Sequence, residues 1–298
     1  MEFEDWAAFD FSYSIDLRSL VPHILAVEQY KAAAFNPVLP PHWLEVPEAA
    51  PVAAADAAKT WGRGQDAPTA DDPAAADEKR IPVRKTDKAR TWIRERFVPG
   101  TAGLSLADIL ALHGMVAEEH GASGPTAGAL RTTPCQVGRE LVGGIHRGAP
   151  APRLPELMAQ YVAFLDGGGL RSLPPVVQAL LAHFFLDTIH PFVDGNGRTA
   201  RLVAAAILSR HGYNLHGTYA LMRHFYRHEI AYHTMLHRIW QCRPFAVTPF
   251  VAFGIEGFVL ELKSVDAFIK MKLNRLRDPA LAASTWRRRI HARSRRLN

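Results

Sequence analysis

The chain has 298 residues, 48% of them apolar, with 35 Lys and Arg against 29 Asp and Glu, 14 His and two Cys, and a formal charge of +6. Such a length holds one large domain or one and a half, and two distant cysteines, Cys135 and Cys242, without CxxC or His-rich spacing argue for neither a disulfide framework nor a zinc site. No apolar run approaches the ~18–20 residues that span a bilayer, and the acidic stretch from Met1 to Asp5 is unlike a basic secretory leader, so the expectation is a soluble protein of a reducing, cytoplasmic setting with no membrane partner.

Residues 1–45 carry scattered aromatics (Trp6, Phe9, Phe11, Tyr13, Phe35, Trp43), and a helix is expected from about Val21 to Ala34. Pro37, Pro40 and Pro41 end it, because proline lacks the backbone donor and restricts the residue before it. Residues 46–78 are a low-complexity stretch of Ala, Pro and Asp with too few large apolar side chains to offset the entropy of ordering, and read as a linker or mobile arm. Residues 79–96 turn basic, as a solvated helix face would be.

From Leu104 the pattern becomes that of a helical domain. Leu106, Ile109, Leu110, Leu112 and His113 follow helical spacing after Ser105, a suitable N-cap ahead of Asp108. The segment Thr133 to His146 is different: short β-prone pieces flanked by glycines predict a hairpin. A second helix runs over Leu154, Leu157, Met158, Tyr161, Val162 and Leu165 and stops at Gly167, Gly168 and Gly169. A third, Pro174 to about Ile189, is apolar nearly all round and must be buried. A fourth spans Arg198 to Arg210, with Gly212 ending it, and two more lie within about 219–277, broken near Pro244 and Pro249. The chain closes with Arg287, Arg288, Arg289, Arg293, Arg295 and Arg296, and without those six the remaining Lys and Arg equal the 29 acidic residues. The excess positive charge therefore belongs to a tail, a candidate contact for nucleic-acid phosphates, and the body is neutral.

The chemistry concentrates between the third and fourth helices, in His190-Pro191-Phe192-Val193-Asp194-Gly195-Asn196-Gly197-Arg198-Thr199-Ala200-Arg201. Gly195, Asn196 and Gly197 set several backbone N–H groups at a helix start, an anion site suited to phosphate oxygens. Arg198 and Arg201, three apart, can share a helix face and offer forked, permanently charged donors to a polyphosphate. Asp194 supplies a hard oxygen ligand of the kind Mg²⁺ takes beside phosphates. His190 is the side chain here able to act as a base near neutral pH, and Phe192 reads as a structural anchor for the loop.

These twelve residues resemble the signature of the Fic family, HPFx(D/E)GNGRxxR, with every defining position filled. The likeness extends from about Leu104 to Phe258, with Gly128-Ala129-Leu130-Arg131 similar to the approach to the family's hairpin flap and Thr248-Pro249-Phe250 similar to the start of its last helices. The resemblance implies an all-α fold, a Fic-type helical bundle with a small β-hairpin flap over the active-site loop. It further implies a protein adenylyltransferase that moves AMP from ATP to a Ser, Thr or Tyr hydroxyl of a target protein. By that likeness His190 is the base, Asp194 holds Mg²⁺, and Gly195, Asn196, Gly197, Arg198 and Arg201 bind the phosphates. Tyr232 resembles a position lining the adenine pocket, with a core role as its alternative, and Gln136, Val137, Gly138, Gly144, Ile145 and His146 would form the flap that aligns the target.

The organisation so expected is a helical and aromatic arm over 1–45, the linker over 46–78, the Fic catalytic domain over 79–278 with its core at about 104–258, and the basic tail over 279–298. The family's inhibitory pattern (S/T)xxxE(G/N) has no convincing copy: Thr91 to Glu95 is followed by Arg96, and Glu256-Gly257 has Ala252 at the first position. Control would then fall to the N-terminal arm or to a separate inhibitory protein, or the activity would be constitutive. Other readings stand beside this one: a Fic-type transferase using another nucleotide or a phosphate-containing donor such as a CDP-linked alcohol, a nucleic-acid-binding regulator acting through the tail, or a toxin or delivered effector. Oligomeric state is open at this stage.

Overall fold

A computed structural model describes residues 6, 8–34, 81–117, 127–139, 144–213, 224–225 and 228–277. In chain order the elements are β1 (Tyr13–Ser14), α1 (Leu17–Ala34), α2 (Ile81–Arg96), α3 (Leu106–Ala117), β2 (Gln136–Arg139), β3 (Gly144–Arg147), α4 (Leu154–Asp166), the single turn α5 (Gly168–Arg171), α6 (Pro175–Ile189), α7 (Asn196–Arg210), α8 (Glu229–Trp240), β4 (Phe245–Ala246) and α9 (Thr248–Arg277). The architecture is all-α, with two small two-stranded ribbons. The linker at 46–78 and the tail at 279–298 lie outside the described residues.

α6 is the centre of the body. Pro175 opens it at a position where the missing N–H costs nothing, and Val176, Val177, Leu180, Leu181, Phe184, Phe185, Leu186 and Ile189 are all buried. With apolar side chains on every face, the helix must be covered on every face. α7 packs along it, α4 and α9 lie against other faces, and α2 and α3 cover α7. α3 is capped as its sequence demands: the backbone N–H of Asp108 donates to Ser105 Oγ at 3.2 Å, and the Asp108 carboxylate accepts from the Ser105 N–H at 2.9 Å.

The N-terminal segment departs from the arm the sequence suggested. α1 begins at Leu17, four residues earlier than expected, because Asp16 Oδ1 caps it by accepting from the backbone N–H of Arg18 at 3.0 Å. α1 packs along α9, and Thr248 Oγ1 accepts from the Asp16 N–H at 2.8 Å, tying the two helix starts together. Trp6 and Phe9 are buried, and Phe11 fits between α4 and α6 with its ring 5.1 Å from those of Phe164 and Phe185. Tyr13 and Ser14 pair in parallel with Phe245 and Ala246. The described part of 1–45 is thus a piece of the same core. Its aromatics bury large areas there, which an appended arm could not do.

Helix boundaries otherwise shift little. α4 coincides with the expected second helix, and α7 starts at Asn196, so two residues read as loop form its first turn. Pro249 does not break a helix; it sits in the opening turn of α9, which then runs unbroken to Arg277. The basic segment is α2, whose apolar side (Ala89, Ile93) is buried together with Phe97 just beyond its end.

Candidate active site

The signature loop joins the C-terminus of α6 to the N-terminus of α7. His190 closes α6 in a left-handed conformation, φ 53° and ψ 60°, with its N–H donating to the Leu186 carbonyl. Glycine ordinarily takes that position, and a Cβ there costs about 1–2 kcal/mol, so the loop holds a side chain where folding alone would prefer none. The imidazole is only 13% exposed. Its Nδ1 lies 3.2 Å from the Asp187 carbonyl oxygen, which can only accept, so the proton is on Nδ1 and the lone pair on Nε2. Burial pulls its pKa down to about 4, opposed by the bond to Asp187, so the ring is neutral at pH 7.

Gly195, with φ 78°, precedes the first residue of α7, leaving the helix's first N–H groups directed at the loop mouth. A Cβ on Gly195 would come within 3.1 Å of Val116 Cγ1, so the left-handed turn and the close approach of α3 both call for glycine. Asn196 was expected among the phosphate ligands, but its side chain is 2% exposed and turned inward. Its Oδ1 accepts from the Phe192 N–H at 2.9 Å and its Nδ2 donates to the Phe192 carbonyl at 2.8 Å, so only the Asn196 backbone is placed to meet an anion.

Phe192 is fully buried, stacked on His113 with ring centroids 3.8 Å apart and planes 5° from parallel. His113 Nδ1 accepts from the Gly128 N–H at 3.1 Å, which leaves Nε2–H to donate to the Asp194 carbonyl at 3.0 Å. Burial lowers the pKa of this imidazole, too, to about 4.

The charges divide into an outer pair and an inner arginine. Asp194, its side chain 52% exposed, pairs with Arg198 Nη2 at 3.0 Å. Arg201 is 6% exposed, and burial lowers its pKa to about 10, which still leaves it charged at neutral pH. Its Nη1 would lie 3.2 Å from a Cβ on Gly197, so Gly197 gives the guanidinium room to fold back under the loop.

β2 and β3 form the expected antiparallel hairpin, Gln136 opposite Arg147 and Arg139 opposite Gly144. Gln136 is exposed; the side chains of Val137, Gly138, Gly144 and Ile145 and all of residues 140–143 lie outside the described residues. His146 departs from the expectation of a target-facing residue: strand alternation turns it inward, where it is 3% exposed, bonds the Thr188 carbonyl through Nε2 at 2.7 Å and stacks 3.8 Å from the Trp240 ring. Tyr232 likewise lines no open pocket. It is 2% exposed among Phe225 and Phe250, with its hydroxyl 2.8 Å from His183 Nε2 and 3.2 Å from Asp187 Oδ2, so of its two readings the structure takes the core one.

Sequence reasoning missed Arg131 as a working part. It is 3% exposed, and its guanidinium donates to the carbonyls of His190 (2.8 Å), Thr133 (2.7 Å) and Ala149. Its backbone N–H donates to the Pro191 carbonyl, and the Ala149 N–H to that of Ile189, so both roots of the hairpin are fastened to the loop. Gly148 completes the seam, since a Cβ there would lie 2.8 Å from Arg131 Nη2 and 3.0 Å from His190 Cβ. Arg131→Ala is expected to cost about 3–5 kcal/mol in denaturant unfolding, because three carbonyls lose a charged donor worth about 1–3 kcal/mol each with some relaxation. A loss below about 1 kcal/mol would mean the clamp is not structural.

Asp187 was missed as well, although a signal was there: the one carboxylate in a mostly apolar helix must find buried partners. Glu256, on α9, stands 3.8 Å from His23 Nε2. Among the described residues no helix is long and apolar enough to cross a membrane.

The helical body thus presents a helix N-terminus, two arginines, a carboxylate and a buried neutral histidine in one loop, next to the roots of a hairpin. The Fic/DOC family profile matches residues 103–208, the stretch that holds the loop and the two helices beside it. Residues of this chain are 38% identical over 112 residues to protein adenylyltransferase fic-1 of Caenorhabditis briggsae and 40% identical over 112 residues to protein adenylyltransferase Fic of Drosophila grimshawi. Each match spans 37% of this chain but only 20% and 21% of those proteins. Among solved structures, a Fic domain containing signaling protein from Bacteroides thetaiotaomicron superposes with a TM-score of 0.61 at 18% identity, over 83% of this chain and 98% of that one. Residues 134–508 of Fic-1 from C. elegans superpose with a TM-score of 0.53 at 19% identity, over 87% and 74%. The structural likenesses fix the fold.

Proposed function

We propose that the chain is a protein adenylyltransferase, transferring AMP from ATP to a hydroxyl side chain of a target protein. The observation that carries this reading is the pairing of a buried, neutral His190 whose Nε2 holds the lone pair with the anion-binding start of α7 at Asn196. The names of the relatives matched over the same domain support it.

In the reaction so read, His190 Nε2 takes the proton of the target hydroxyl. The hydroxyl oxygen forms its bond to the α-phosphorus of ATP, and the bond from that phosphorus to the bridging oxygen breaks, its electrons leaving with pyrophosphate. Backbone N–H groups at the start of α7, Arg198 and Arg201 stabilise phosphate charge as it redistributes, which is where most catalysis of phosphoryl-type transfer lies. Arg131 and Asn196 keep the loop in shape. The exposed edge of the hairpin lays the target's backbone beside the loop by strand addition.

Asp194 suits Mg²⁺, which binds through one or two carboxylates together with substrate phosphates and not in an all-protein cage; it is a half-exposed carboxylate at the mouth of the anion site. When bound there, the ion would neutralise phosphate charge. Arg198 would then exchange its contact with Asp194 for one with a phosphate oxygen.

Incubation with Mg²⁺ and ATP labelled at the α-phosphate is expected to label this chain or a lysate protein, while ATP labelled at the γ-phosphate leaves no label. Because Tyr232 is in the core, no described side chain is assigned to the base, so the same assay with the other nucleoside triphosphates and CDP-choline, read by intact mass, sets the donor. Label from the γ-phosphate, or a mass gain other than that of AMP, would overturn the adenylyl reading.

A further inference from the structure

Asp187 stands one turn before His190, inside a helix lined mostly with apolar side chains, and its carboxylate joins elements that the loop chemistry needs held together. Its Oδ1 is 3.9 Å from His190 Nδ1 and would lie 3.8 Å from a Cβ on Gly197, next to the Arg201 guanidinium. Its Oδ2 accepts from the Tyr232 hydroxyl at 3.2 Å, and that hydroxyl in turn meets His183 Nε2 at 2.8 Å. Since the Tyr232 proton is committed to Asp187, His183 Nε2–H must be the donor to Tyr232 oxygen. The carboxylate side chain is only 14% exposed, so its charge acts through protein and not through water.

We propose that Asp187 is the positioning residue for His190: its carbonyl holds the ring in the Nδ1–H form, its carboxylate stabilises the imidazolium formed when Nε2 accepts the hydroxyl proton, and Tyr232 and His183 hold that carboxylate in place. This inference rests on the reading of His190 as the base and adds a third member to it, in the way an orienting carboxylate serves other base histidines. The proton stays on His190: Nε2 gains one, Nδ1 keeps its own, and Asp187 remains a carboxylate. The other charged or titratable groups around the pair are Arg131 at the flap root, Asp194 in the loop, His146 on β3, Cys135 before β2 and Arg201 on α7.

The test compares wild type, Asp187→Asn and Tyr232→Phe in the full chain, with NMR of the His190 imidazole alongside steady-state AMP transfer. Asp187→Asn keeps the backbone carbonyl and the shape, so the Nδ1–H form persists, while the His190 pKa falls by about one unit because a neighbouring carboxylate is gone. kcat is expected to fall at least about tenfold with KM for ATP within about twofold, and Tyr232→Phe is expected to show a smaller loss of the same kind. An unshifted His190 titration in a folded Asp187→Asn protein would overturn the inference, as would a KM increase accounting for the whole loss. Wild type inactive with every nucleotide, yet showing the His190 shift in Asp187→Asn, would sink the transfer reading and leave the coupling of Asp187 to His190 standing.

Discussion

His190→Ala is expected to reduce AMP transfer by about 10²–10⁴-fold, the usual contribution of a positioned general base, with the far-ultraviolet spectrum unchanged. The chain is not held together by this side chain: at its left-handed position a smaller residue relieves crowding, and His190→Gly removes the Cβ penalty altogether. The glycine variant is therefore expected to unfold within about 1 kcal/mol of wild type while being equally inactive. Label incorporation from α-labelled ATP, together with urea melts of both variants, checks the pair of outcomes. Labelling retained in His190→Ala would remove the histidine from the chemistry.

Acid is expected to unfold the protein well before its carboxylates titrate. His113, His146, His183 and His190 are all buried neutral, with pKa values pulled down to about 4 by desolvation. In the unfolded chain each returns to ~6.5. Above that value neither state binds the protons and stability is at its full level. Between about pH 6.5 and 4 the unfolded state binds up to four more protons than the native one, so stability falls with pH at a slope of up to about 5 kcal/mol per unit. Against a total of ~5–15 kcal/mol for an ordinary domain, that places the acid midpoint at about pH 5. Urea unfolding at pH 7.5, 6.5, 5.5 and 5 reads the slope. His146→Phe, which keeps a ring on Trp240, should lower it by about a quarter; stability that is flat from pH 7 to 5 would show that these imidazoles are not buried neutral.

The loop was legible because its chemistry is local. His190, Asp194, the glycines and the two arginines lie within twelve residues, and the apolar runs on either side predicted the two buried helices that support them. Asn196 shows where local reading stops. Its place in the motif suggested a phosphate ligand, but whether its amide faces out or in depends on a turn geometry that lets it bond both backbone groups of Phe192. His146 and Tyr232 fall in the same class: each sits on a short element with one inner and one outer face, and the sequence of a four-residue strand or a mixed helix does not say which side is packed.

The amino-acid sequence by itself determined that the body is helical, that a hairpin interrupts it, and that a loop carrying a histidine, two glycines and two arginines joins its two most buried helices, because periodicity, glycine placement and charge are properties of neighbouring residues. Tertiary structure alone decided what holds that loop in place. Arg131 reaches His190 across 59 positions, His113 reaches Asp194 across 81, and Tyr232 reaches Asp187 across 45. It also decided that Phe9 and Phe11 belong to the central core, brought there by the pairing of Tyr13 with Phe245. These are contacts between distant segments, chosen by which buried donors and acceptors can satisfy one another once the helices have packed, and no stretch of the chain read alone contains both partners.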